Sequence, residues 1–145
     1  MPELTPYFAY GMNIASDAMP VDATAIGPAE LPGWRLAFRG FADIDREDGV
    51  AVPGALYVVG RRGMEDLDRR EGVPNFYVRR EVTVDTPDGR VLAEAYVMRE
   101  KTAPVGPSDG YVQMILRGYR EFDLPVGVLY RAAAEAYELE GRRRP

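Results

Sequence analysis

At 145 residues the chain has room for a single domain, taken as residues 1–145, and its net charge of −5 argues against a nucleic-acid partner, which demands a basic surface. It contains no cysteine and no histidine; this removes disulfides, thiolate nucleophiles, imidazole metal ligands and every mechanism built on a histidine base, leaving acid–base work to a carboxylate, a tyrosine or the one lysine, Lys101. No apolar run reaches the roughly 18 residues of a membrane span and no basic-then-apolar leader opens the chain, so a cytoplasmic protein with no membrane partner is the expectation.

Residues 4–10 read as a strand that is apolar on both faces and ends at Gly11, with Asn13 close behind. A strand that feeds a glycine loop can aim backbone N–H groups at a small anion. Ser16-Asp17-Ala18-Met19 can cap a short helical turn stopped by Pro20. Residues 24–31 read as extended, Pro32-Gly33 as a turn, and residues 34–41 as a strand with Trp34, Leu36 and Phe38 on one face. Residues 43–49 are acidic and polar, hence a surface loop. The nearly continuous apolar run at 52–60 fits a central strand. Helical spacing takes over at 61–71 and stops at Gly72-Val73-Pro74. Residues 76–86 and 90–99 alternate as two strands joined by a Pro87-Asp88-Gly89 hairpin turn. After a Pro/Gly-rich connector at 103–107, Ser108 or Asp109 can cap a helix to about Phe122, broken by Leu124-Pro125. A last helix spans about 126–139, and the basic run Arg142-Arg143-Arg144 reads as a solvated, frayed terminus. Strands first, helices last and antiparallel hairpins point to an α+β fold around a small, mostly antiparallel β-barrel flanked by helices.

One carboxylate breaks the pattern. At about 100° per residue, Met64 and Leu67 share a helix face and Glu71 falls between them, while Asp66, Arg69 and Arg70 lie on the far side. Glu71 thus sits on the apolar stripe, in the last turn, where the helix dipole is negative. Both conditions disfavour its ionised form and raise its pKa, which suits a general acid/base near neutral pH. The alternative is an ordinary ion pair with Arg79 or Arg80.

Read together, these pieces resemble a known family. Tyr7-Phe8-Ala9-Tyr10-Gly11-Met12-Asn13 is similar to the YFAYGSN loop of the γ-glutamylcyclotransferases. The run DLDRREGVPNFYVRREVTV resembles that family's LD-x-x-EG-V followed by a Tyr-containing strand. VPGALYVVG resembles the strand leading into the Glu helix, and Ser108-Asp109-Gly110-Tyr111 with GYREFDLP resembles its Tyr-containing helix start and G-x-x-E-x-x-LP stretch. Order and spacing match over roughly residues 7–129. The resemblance implies a γ-glutamylcyclotransferase-like (AIG2-like) barrel. It implies an enzyme in which the substrate's α-amine attacks its own γ-carbonyl, expelling an amine or amino acid and leaving pyroglutamate. Glu71 matches the catalytic Glu; Tyr7, Phe8, Ala9, Tyr10, Gly11, Met12 and Asn13 match the substrate-binding loop, and Tyr111 a substrate-contacting Tyr. The implied partner is a small γ-glutamyl amine, peptide or conjugate, with no cofactor and no metal. Met12 departs from the pattern, standing where the family carries Ser or Thr. The backbone N–H survives that change and the hydroxyl donor does not, so a catalytically weak or inactive small-molecule binding protein of the same fold is the alternative.

Overall fold

The computed structural model describes residues 3–143. In chain order the elements are β1 (Leu4–Ala9), β2 (Ala23–Arg39), β3 (Phe41–Gly60), α1 (Arg61–Arg70), β4 (Tyr77–Thr86), β5 (Gly89–Met98), α2 (Asp109–Glu121) and α3 (Val126–Arg143). A single 3-10 turn at Ser16–Ala18 stands where a short helical turn was expected, entered through Ala15 with no side chain capping it. The strands are ordered β1-β3-β2-β4-β5 in a curved, closed ring. Neighbours are antiparallel except where β1 meets β5, in parallel, through Tyr7 and Glu94. The expected α+β barrel is therefore the fold adopted.

The largest departure from the expectation lies in β2 and β3. What read as four separate pieces is one long hairpin, turning at Gly40, whose φ of 79° suits a residue without a Cβ. The proposed acidic loop at 43–49 is mostly strand: Asp43, Ile44 and Asp45 pair with Ala37, Leu36 and Arg35. Only residues 47–50 leave the ladder, because the register jumps from Trp34↔Arg46 to Pro32↔Ala51. Charge alone misled here, since Asp43 is fully buried. It accepts hydrogen bonds from the Met98 N–H (3.0 Å), Arg39 Nη1 (2.8 Å) and Lys101 Nζ (2.7 Å). A buried carboxylate is tolerated when it is paired and hydrogen-bonded in this way. These bonds tie β3 to the end of β5 and give Lys101 a structural partner.

Phe8, Leu31, Phe38, Ile44, Val52, Tyr57 and Val59 of the strands are fully buried, as are Ile14, Leu67, Ile115, Tyr119 and Leu129 outside the strands. Beside the register shift between Pro32 and Trp34, Trp34 is 6 % exposed, with the guanidinium groups of Arg46 and Arg80 4.6 and 5.2 Å from its ring centre. Of the two closing helices, α2 packs against the loop after β1 at Gly118. A Cβ there would stand 2.4 Å from Ile14 Cβ and 2.9 Å from the Ala15 nitrogen. The last helix runs to Arg143, past the expected end at 139. Arg142 pairs with Glu138 and Arg143 donates to the Pro104 carbonyl, so this part of the basic run is helical rather than frayed. Arg144 lies outside the described residues. Among those residues no helix is long and apolar enough to cross a membrane.

Candidate active site

Beyond β1 the chain turns sharply. The Ile14 N–H donates to the Gly11 carbonyl at 3.1 Å, and this turn uses neither of the N–H groups at its middle positions, Met12 and Asn13. Gly11 does not adopt a positive φ. It needs space: a Cβ would stand 3.3 Å from Ala42 Cβ and 3.7 Å from the Tyr111 hydroxyl.

Facing the turn is the end of α1. Met64 and Leu67 bury its apolar face, and its start is held by Asp22, which accepts from the Gly63 N–H at 3.0 Å. The helix ends one residue earlier than expected, with Glu71 as its C-cap and Gly72 turning the chain away at φ 65°. The half-buried Glu71 carboxylate accepts a 3.0 Å hydrogen bond from Asn13 Nδ2. Burial raises its pKa to about 7; the Asn13 bond and the Arg70 charge pull the other way without cancelling the shift. Neither candidate ion-pair partner reaches it. Arg79 is bidentate on Asp68 (2.8 and 2.7 Å), and Arg80 lies over Trp34.

Tyr111 enters from α2. Ser108 caps that helix, its Oγ accepting from the Tyr111 N–H at 3.2 Å. The Tyr111 hydroxyl accepts from the Ala42 N–H (3.0 Å), and the Tyr77 hydroxyl donates to the Ala42 carbonyl (2.7 Å). Two phenols thus hold both polar groups of Ala42. Tyr10 donates to the Tyr96 carbonyl at 2.6 Å, and the Tyr96 hydroxyl donates to Asp68 at 2.7 Å. Together these groups enclose a cavity of about 160 Å³. Glu71, Tyr7, Tyr10, Gly11, Met12 and Asn13 line it, as does Tyr111. Phe8 and Ala9, matched to the same loop, do not: both are buried, and the Phe8 ring lies against Gly54, where a Cβ would come within 2.7 Å of it.

The family model described as gamma-glutamyl cyclotransferase, AIG2-like, matches residues 7–118. The chain belongs to this family. It is 30 % identical to a bovine gamma-glutamylcyclotransferase over 137 residues, covering 83 % of this chain and 72 % of that protein. The human gamma-glutamylcyclotransferase is likewise 30 % identical, over 138 residues and the same shares of each chain. A solved gamma-glutamyl cyclotransferase structure superposes with a TM-score of 0.78 at 27 % identity, covering 91 % of this chain and 88 % of that one. The matched span of this γ-glutamyl cyclotransferase relative includes the Gly11 turn, Glu71 and Tyr111, and stops before α3.

Composition leaves a carboxylate, a tyrosine or Lys101 as candidate acid–base groups, and the structure sets these candidates apart. Lys101 is tied to Asp43 and to the Ile44 carbonyl (2.9 Å). Burial, then the Glu71 charge, pushes the Tyr7 phenol far up; burial likewise lifts Tyr77, and Tyr111 rises to about 12, so all three are neutral donors or acceptors at ordinary pH. Glu71 alone titrates near neutrality among the groups lining the cavity. The sequence did not single out Phe41, Ala42, Arg70, Phe76, Tyr77 and Tyr96, which complete the wall. Tyr77 was visible only as the tyrosine of the strand after Glu71; the others carry no local signal. Among the described residues no group of three or more Asp or Glu side chains is placed to hold a metal ion.

Proposed function

We propose that this protein cyclises the γ-glutamyl group of a small γ-glutamyl amine, peptide or related conjugate, releasing pyroglutamate and the free amine or amino acid. The observation that carries this reading is a half-buried carboxylate, Glu71, with a pKa of about 7, held by Asn13 at a cavity bounded by the Gly11 turn and Tyr111. Ionised Glu71 takes a proton from the substrate's α-ammonium. The freed amine attacks the γ-carbonyl carbon, forming the ring C–N bond, and the proton goes to the leaving nitrogen as the old γ-C–N bond breaks. Over the whole reaction the α-nitrogen loses two protons and the leaving amine gains two, so nothing is consumed. Because the attack is intramolecular, positioning supplies much of the rate. The N–H groups of Met12 and Asn13 are donors for the oxyanion of the intermediate or for the substrate's α-carboxylate. Asn13 Oδ1, buried with no partner among the described residues, is an acceptor for the α-ammonium beside Glu71.

The test is pyroglutamate release from a panel of γ-glutamyl amino acids and amines. Glu71→Gln is expected to lower kcat/KM by about 10²- to 10⁴-fold. A variant as active as the native protein, or no product from any conjugate, sinks the reading. Met12 favours a second one. Its thioether lines the cavity where a hydroxyl is expected, and a lost hydrogen bond to a charged group is worth about 1.5–3 kcal/mol. Saturable binding of γ-glutamyl compounds by calorimetry, unchanged in Glu71→Gln and without product, supports a binding protein instead.

A further inference from the structure

The cavity has two unlike ends. Its inner wall is polar and dry: Tyr7, Tyr10, Asn13, Tyr77 and Tyr96 are all buried. Its mouth is apolar and wet. Phe41 and Phe76 line the same cavity with 49 % and 45 % of their surfaces in solvent. The two rings meet edge to face at 6.1 Å, and Phe41 meets Tyr111 in the same way at 5.2 Å. The half-buried Met12 lines the same cavity with its thioether side chain.

Both phenylalanines are fixed by the backbone beneath them. Phe41 follows the Gly40 turn and precedes Ala42, whose N–H and carbonyl are held by Tyr111 and Tyr77. Phe76 sits in the turn leaving Glu71, its N–H donating to the Gly72 carbonyl at 2.8 Å, and its ring packs on Tyr77 at 4.8 Å. Single exposed apolar residues are ordinary, but two held in contact at the mouth of a polar cavity form a preorganised apolar surface with an open side.

The reaction divides a substrate at its γ-carbonyl. The glutamyl half carries an ammonium, a carboxylate and the developing oxyanion, and its groups match Glu71, Asn13 and the Gly11 turn. What remains for the mouth is the leaving group. We propose that Phe41, Phe76 and Met12 form the leaving-group subsite and select an aromatic ring, so that the preferred substrates are γ-glutamyl conjugates of aromatic amines or aromatic amino acids. This inference rests on the cyclotransfer reading above. An incoming ring completes the edge-to-face cluster and buries the open sides of both phenylalanines, and the Met12 sulfur gives it a polarisable neighbour. Arg70 also lines the cavity, but Asp66 at 2.8 Å and the Ala18 carbonyl already hold its guanidinium. The ring, rather than a carboxylate on the leaving group, therefore decides the choice.

The experiment supplies the purified protein separately with γ-glutamylphenylalanine, γ-glutamylbenzylamine, γ-glutamylglycine and glutathione, and measures pyroglutamate at steady state. Both aromatic conjugates are expected to exceed γ-glutamylglycine in kcat/KM by about ten-fold or more. In Phe41→Ala/Phe76→Ala that ratio is expected to fall towards one. Phe41→Leu/Phe76→Leu, which keeps an apolar mouth without rings, is expected to lose part of it and guards against misfolding of the alanine variant. Equal turnover of γ-glutamylglycine and the aromatic conjugates overturns the inference and leaves the cyclotransfer reading standing, as does an aromatic preference that survives the alanine substitutions. No pyroglutamate from any of the four overturns both.

Discussion

The pKa of Glu71 ties the proposed reactivity to stability at a single residue. Its folded value of about 7 lies above the unfolded value near 4.5, so between those limits the folded state holds more protons than the unfolded one. Stability therefore declines as pH rises from about 4.5 to 7, and the whole penalty is present above 7. A shift of this size corresponds to at most about 3 kcal/mol, and nearer 1–2 kcal/mol for a side chain still partly in contact with water. Glu71→Gln removes the penalty. Urea melts are expected to show it more stable than the native protein at pH 8 by about 1–2 kcal/mol, with the gap closing towards pH 4.5. The same titration is expected to give kcat/KM an acid limb with its midpoint near pH 7 if, as proposed, the ionised Glu71 carboxylate is the base. A limb centred near 4.5 would mean that burial does not tune this group.

At the scale of the elements, the site depends on α2 pressing on the turn that carries Asn13. Gly118 makes that approach possible, because its missing Cβ is replaced by Ile14 and the Ala15 backbone. Gly118→Ala keeps the helix but forces α2 off the turn. A loss of about 1–3 kcal/mol is expected in urea, together with a fall in affinity for γ-glutamyl compounds as Asn13 moves relative to Glu71. Wild-type stability and binding would show that the turn is not buttressed from this side. The pieces legible in the sequence are those with local causes. The 3.6-residue period exposed Glu71 as misplaced at the end of α1, Pro87-Asp88-Gly89 announced the β4–β5 hairpin, and Ser108 or Asp109 announced α2. The cavity's far wall had no such cause. Tyr77 and Tyr111 meet Ala42 from 35 and 69 positions away, and no period or turn signal encodes such contacts. The long β2–β3 hairpin was split for a related reason. Its bulges interrupt the alternation that marks a strand, and the acidic stretch 43–49 read as solvated although Asp43 is buried.

For the whole molecule, the Asp43 cluster and the Trp34 stack hold the ring of strands at two separate places. Asp43 joins β3 to the end of β5 through Met98 and to the segment after it through Lys101, and holds Arg39 at the end of β2. Asp43→Asn keeps the volume but leaves Arg39 and Lys101 facing a neutral amide, and a destabilisation of about 3 kcal/mol is expected in urea. Neutral behaviour would show that Asp45, which also pairs with both cations, carries the cluster alone. Trp34 is the chain's one tryptophan, packed between Arg46 and Arg80 and absent from the cavity wall, which holds five tyrosines instead. Indole fluorescence is therefore expected to follow unfolding in a urea melt and to change little in a titration of the cavity, whereas the near-ultraviolet circular dichroism of the cavity tyrosines is expected to follow occupancy. The two readings together give one optical signal for the integrity of the barrel and another for the filling of the cavity, with no label added.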